Sequence, residues 1–178
     1  MKRLTHITLL FLFLLVSPLC RADRETVSHV FHTMNKKTDL IFSNSYRTAT
    51  TSLLTYTCAP GSAFGIDPVY KEICAILNTS TDTLTTTQVK ELTGFQIAHW
   101  PVAKCEKVEV YVSKTGVFDG VLPLSGDNIT YNSTGTIDVT IPRGNYYIKI
   151  VNTDSNRFSI RSMYYYLDHC NCFEYVPE

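Results

Sequence analysis

Past the first two dozen residues, apolar and polar positions alternate with a period of two. In the stretch Lys107–Ser113 (KVEVYVS), Val108, Val110 and Val112 share one side. Thr136–Ile141 repeats the pattern with Ile137, Val139 and Ile141. Beyond Pro142-Arg143-Gly144-Asn145, which reads as a turn, Tyr146, Ile148 and Ile150 continue it with Lys149 facing the other way. Alternation of this kind belongs to strands buried on one face only. Asp39–Ser43, Ser52–Cys58, Tyr70–Leu77, Gly94–Trp100 and Phe158–Leu167 are further strand candidates. About eight short strands separated by turn signals predict an all-β fold, an antiparallel β-sandwich or barrel.

Two stretches read differently. Thr87–Thr93, followed by Gly94, fits a two-turn helix. Val27, Val30, Phe31 and Met34 fall at i, i+3, i+4 and i+7, which favours a short N-terminal helix. The alternative is an extended arm with Ser28, Val30, His32 and Met34 on one side. Thr79–Thr87 holds seven Ser/Thr in nine residues and reads as a polar connection that packs no core.

The chain opens on Lys2 and Arg3, an unbroken apolar run Leu9–Val16, and a polar break before Ala22. That is the order of a secretory signal peptide cut before Asp23. The run is shorter than the roughly 20 apolar residues that span a bilayer, and no second run of membrane length follows. The expected division is therefore a signal peptide at 1–22, an N-terminal arm at 23–37 and a sandwich at 38–178, in a secreted, extracellular protein. The charge count changes with the cut. The whole chain carries 16 Lys+Arg against 16 Asp+Glu, and removing Lys2, Arg3 and Arg21 leaves 13 against 16. Neither balance suits a nucleic-acid partner.

Three sequons, Asn78-Thr-Ser80, Asn128-Ile-Thr130 and Asn132-Ser-Thr134, mark Asn78, Asn128 and Asn132 as N-glycosylation candidates. Loss of Cys20 with the signal leaves Cys58, Cys74, Cys105, Cys170 and Cys172. In an oxidising compartment these are disulfide candidates, and the odd count leaves one for an intermolecular bond or a buried thiol. His169-Cys170-Asn171-Cys172 lacks the spacing of a zinc pair, and the His29/His32 pair has no carboxylate at matching spacing. No metal and no cofactor are therefore expected. Gly61-Ser62-Ala63-Phe64-Gly65 places its serine second, not third, so it is no nucleophile elbow. No phosphate loop or dinucleotide fingerprint occurs, and the expectation is a protein without enzymatic activity.

The aromatics carry more. Tyr164-Tyr165-Tyr166 lies on a predicted strand, so Tyr165 faces opposite to its neighbours, and Trp100 and Tyr131 sit near strand ends. Trp100, Tyr131 and Tyr165 are the candidate ligand-facing rings, able to stack on sugars or anchor a protein.

The segment Thr140–Asn152 (TIPRGNYYIKIVN) followed by Phe158-Ser-Ile160 resembles the closing hairpin of secreted immunoglobulin-like sandwiches. It is similar to that of pre-peptidase C-terminal domains and of fungal-type wall-associated modules. The resemblance covers about 20 residues and implies an extracellular sandwich, immunoglobulin-like or jelly-roll, with no catalytic residue carried across. The expected function is a structural or interaction module acting through a protein partner or self-association. The arm at 23–37 would add a strand to a neighbouring copy, building a matrix or filament. The alternative is a carbohydrate-binding, lectin-like module with glycans as partners. A small secreted hydrolase is the third reading.

Overall fold

The computed structural model describes residues 21–31, 41–43, 45, 47–51, 53–101 and 107–171. The expected signal run, Cys20, His32, Cys105 and Cys172 lie outside these residues, as does the side chain of Cys170.

Among the described residues the period-two pattern resolves into twelve strands. They are β1 (Arg21–Val30), β2 (Ile41–Ser43), β3 (Thr48–Thr50), β4 (Thr55–Ala59), β5 (Ala63–Ile66) and β6 (Ile73–Leu77). Next come β7 (Thr83–Thr86), β8 (Val89–Trp100), β9 (Val108–Ser113), β10 (Ile129–Asn132), β11 (Thr136–Asn152) and β12 (Phe158–Asn171). Every pairing is antiparallel. Two layers result, forming a jelly-roll-like sandwich. Sheet A runs β10-β11-β8-β12, with β12 flanked on its far side by β1 along one half and by β6-β5 along the other. Sheet B runs β2-β3-β4-β7-β11-β9. One buried cluster lies between them, joining Phe95, Ile97, Ile137, Ile160, Met163 and Tyr165 of sheet A to Tyr56, Leu84, Val110, Ile148 and Ile150 of sheet B.

Strand β11 serves both layers. Thr136–Thr140 pairs with β8 in sheet A, the register shifts between Thr140 and Gly144, and Tyr147–Asn152 pairs with β9 in sheet B. Pro142–Asn145 is therefore a bend inside one strand, not the chain reversal its composition suggests. Pro142 donates nothing to a ladder, and a register irregularity is where that is tolerated. The two parts of the resembling segment, β11 and β12, consequently end in opposite sheets.

Three local expectations are corrected. Val89–Thr93 belongs to β8 rather than a helix, with Thr87 and Gln88 leading into the strand, because Val89 and Leu92 pair with Tyr146 and Gly144 of β11 and bury against the core. The Thr-rich run contains β7, which lies between β4 and β11. Its buried Thr86 hydroxyl oxygen accepts a hydrogen bond from the Ile148 amide at 3.1 Å, so the polar side chain is satisfied inside the fold. The N-terminal segment is extended from Arg21 to Val30, while Met34, the last position of the helical stripe, lies outside the described residues. All ten residues of β1 pair with β12 of the same chain, and His29 and Phe31 turn inward onto Tyr56.

Of the five candidate cysteines, two have described side chains. Cys58 and Cys74 are free, buried thiols. Cys58 joins the core cluster, whereas Cys74 alternates with core-facing Ala75 and so lies on the other side of sheet A, and neither reaches the other. Burial pushes both thiols up to about 12, which keeps them protonated and unreactive.

Candidate functional site

Strand alternation puts half of the sheet A side chains on the face away from the core. Across the middle of that face, register aligns Ser28 of β1 with Tyr164 of β12, Gln96 of β8, Asp138 of β11 and Thr130 of β10. The next row holds Thr26, Tyr166, Gly94 and Thr140. Tyr164 and Tyr166 are thus two residues apart on one strand, roughly 7 Å along it, and both are half-buried.

Hydrogen bonds fix the polar half of the face. Gln96 Nε2 donates to Asp138 Oδ1 at 2.7 Å, and Asn132 Nδ2 donates to Asp138 Oδ2 at 2.5 Å. Asn132 Nδ2 also donates to Thr136 Oγ1 at 3.0 Å. The carboxylate is therefore held between two amides from neighbouring strands. Burial raises the Tyr166 hydroxyl above its ordinary range, and the nearby Asp138 charge and Tyr164 act in the same direction, so that phenol stays a donor at neutral pH. Asp168 shares the face of Tyr166 by alternation and stands opposite Arg24 in register. Its Oδ1 is buried without a hydrogen-bond partner among the described residues.

Gly94 shapes the relief. A Cβ at this position would lie 2.4 Å from the Val139 carbonyl oxygen and 3.4 Å from Cδ2 of Tyr166. The missing side chain leaves a trough of about 500 Å³, lined by Arg24, Thr26, Thr93, Gly94, Thr140 and Tyr166 among others. Its lining combines the Tyr166 ring and the aliphatic Val139 and Ile141 with three threonines and the Arg24 cation.

A second aromatic group lies where the same face meets the β5–β6 loop. Trp100 stacks on Tyr70 with centroids 4.4 Å apart and planes at 10°. Its Nε1 donates to Glu72 Oε2 at 3.0 Å, and the Arg161 guanidinium sits 4.7 Å from its centroid. Asp67 organises that loop by accepting from the Val69 and Tyr70 amides, from Ser159 Oγ at 2.6 Å, and from Arg157 at 3.1 Å. Burial works against the Asp67 charge. The bonds from Ser159, Tyr70 and Val69, with Arg157 behind them, outweigh it and hold the carboxyl below its usual range.

Of the three rings singled out from sequence, Trp100 alone reaches this face. Tyr165 is 1% exposed. Its hydroxyl donates to Tyr56 Oη at 2.9 Å, and Tyr56 in turn meets His29 Nδ1 at 2.5 Å. Tyr131 packs against the core and donates to the Val108 carbonyl at 2.7 Å. The outward rings are the two neighbours of Tyr165. The signal was Asp168, two residues beyond Tyr166 and therefore on its side, while Met163 and Leu167 share the side of Tyr165.

Asn78 and Asn128 are exposed in turns, and Asn132 closes β10. A second cavity of about 330 Å³ opens between the sheets, lined by Val27, Leu54, Val89, Tyr165 and Leu167, with Lys90 and Gln88 at its rim. No carboxylate is among its lining residues. Among the described residues no three His, Cys, Asp or Glu side chains converge as metal ligands. No helix among them is long and apolar enough to cross a membrane.

No family model and no curated protein matches the chain. Among solved structures it is similar to a family two carbohydrate esterase from Cellvibrio japonicus, at 8% identity and TM-score 0.45, covering 82% of this chain and 34% of that one. It is also similar to the low affinity xylan binding module CBM86 from Roseburia intestinalis, at 9% identity and TM-score 0.40, covering 82% and 96%. A third is the CBM36-1 domain of a multidomain xylanase from the hindgut metagenome of Trinervitermes trinervoides, at 16% identity and TM-score 0.36, covering 62% and 95%. The chain spans about a third of the esterase's length. At these identities and scores the likeness carries no inference about function.

Proposed function

We propose that the outer face of sheet A binds carbohydrate and that the protein is a secreted, non-enzymatic glycan-binding module. The observation that carries this reading is the placement of Tyr164 and Tyr166 beside the Gln96–Asp138–Asn132 row. A pyranose ring presents an apolar C–H face and a rim of hydroxyls. Aromatic faces take the first, while an amide–carboxylate row donates to and accepts from the second. The unpaired oxygen of Asp168 adds an acceptor at one end. An open face across four strands, with a shallow trough at Gly94, suits an extended oligosaccharide better than a small metabolite, which calls for a deep enclosed pocket.

The self-association reading loses one of its two motives, because residues 23–30 of the arm that would pair with a neighbouring copy already pair with β12 of their own chain. The reading is tested by calorimetric titration of the unglycosylated protein with cellohexaose, xylohexaose and chitohexaose. At least one should bind, and Tyr166→Ala should weaken it about tenfold, a loss near 1.4 kcal/mol, with thermal unfolding confirming an intact fold. Absence of binding to all three at millimolar concentration, or unchanged affinity in Tyr166→Ala, would refute it.

A further inference from the structure

The three sequons are equivalent as motifs, but the fold separates them. Asn78 is exposed in the β6–β7 turn, where Nδ2 makes one long contact of 3.4 Å to the Gly61 carbonyl. Asn128 is exposed in the turn Gly126–Asn128 before β10. Asn132 differs, because its Nδ2 belongs to the polar row of sheet A, bonded to Asp138 and Thr136. It is also the residue from which a three-residue hairpin loop, Ser133-Thr134-Gly135, departs. Gly135 takes φ +79°, the left-handed position such loops require, and Ser133 and Thr134 are exposed. The acceptor sequence therefore sits on a surface hairpin, while the atom to be modified lies on the carbohydrate-facing side.

We propose that Asn132 is an N-glycan attachment site whose occupancy covers the outer face of sheet A, so that the chain exists in an open form and a self-covered form. The inference rests on the carbohydrate reading of that face. Transfer from a lipid-linked oligosaccharide pyrophosphate forms the bond from Nδ2 to the sugar C1. It breaks the bond from C1 to the pyrophosphate oxygen and gives one amide proton to that leaving group. The modified Nδ2 keeps a single N–H, enough for Asp138 or Thr136 but not for both. The first sugar then sits against the carboxylate that Gln96 also holds. Three interstrand spacings, about 14 Å, separate β10 from the tyrosines of β12, a distance a branched oligosaccharide covers. The attached glycan occupies the hydroxyl-binding row and competes with a free ligand at high effective concentration.

Thr134→Ala removes the sequon while leaving Asn132 and its hydrogen bonds in place, since the Thr134 hydroxyl meets only Thr136 Oγ1 at 3.4 Å. The wild-type chain, Thr134→Ala and Asn128→Gln are secreted from a eukaryotic host. Occupancy at each sequon is read by peptide mass, and binding of cellohexaose, xylohexaose and chitohexaose is measured beside the unglycosylated bacterial chain. Asn132 should be occupied. Thr134→Ala should bind at least tenfold more tightly than the wild-type glycoprotein and match the bacterial chain, with Asn128→Gln unchanged from wild type. An unoccupied Asn132, or equal affinity of Thr134→Ala and wild type while the bacterial chain binds, overturns the covering role alone. Failure of the bacterial chain to bind any of the three overturns the carbohydrate reading and this inference with it.

Discussion

His99 is 1% exposed and its ring packs against Phe158 at 4.8 Å, with neither nitrogen hydrogen-bonded among the described residues. Burial lowers its proton affinity to about 4, while the Pro101 carbonyl pulls weakly the other way. In the unfolded chain the imidazole titrates near 6.5. Between those values the unfolded chain binds a proton that the folded one refuses, so acid favours unfolding. The stability tied to the neutral ring is complete above about pH 6.5 and lost as pH falls toward 4, by roughly 3 kcal/mol. His29, lowered by its own burial beside Tyr56, adds loss in the same direction. Urea midpoints at pH 7 and pH 4.5 should therefore differ strongly in the wild type and less in His99→Phe, and an equally steep acid loss in the variant contradicts the assignment. At this scale the sequence shows that Tyr165 opposes its two neighbours, and Asp168 set against Met163 and Leu167 marks which side is wet. Which residues of other strands then meet Tyr164 and Tyr166 is settled only when Met163, Tyr165 and Leu167 close over the opposite sheet, an arrangement no local stretch encodes. The role of Asn132 as part of a carboxylate row was hidden for the same reason, since Asp138 and Gln96 come from two other strands.

Among the elements, β8 and β11 leave no room for a side chain at Gly94. An alanine there brings Cβ to 2.4 Å from a backbone oxygen inside a paired ladder, and backbone cannot yield as a flexible side chain does. Gly94→Ala should destabilise by about 1–3 kcal/mol, read as a lower denaturant midpoint with unchanged slope. A wild-type midpoint would mean that β11 shifts to make room. Strands whose alternation is carried by Val and Ile, such as β9 and the first half of β11, were plain from sequence because a one-sided core demands that pattern. The others were not. In β7 a single apolar Leu84 stands among threonines, and the strand exists because β4 and β11 pair with it from both sides. In β1 the spacing of Val27, Val30 and Phe31 suits a helix as well as a strand, and the free edge of β12 decides.

For the whole molecule, the decisive fact is that one strand belongs to both layers. Neither sheet closes without β11, so the two should unfold together. Trp100 reports on sheet A by fluorescence, and far-ultraviolet circular dichroism reports on all strands. The two transitions should coincide in urea, and separated midpoints would show that the layers melt independently. The bend at Pro142–Asn145 also has a mechanical meaning. Asp138 and Thr140, on the first half of β11, lie on or beside the proposed binding face, while the second half is stitched into the opposite sheet by β7 and β9. A bound glycan dragged parallel to the strands would load β11 along its length. Its ladders would then be strained in parallel rather than peeled one bond at a time. Such a grip should outlast pulling in shear far longer than pulling at the edge strand β1, with lifetimes set by the rate of forced unfolding rather than by equilibrium stability.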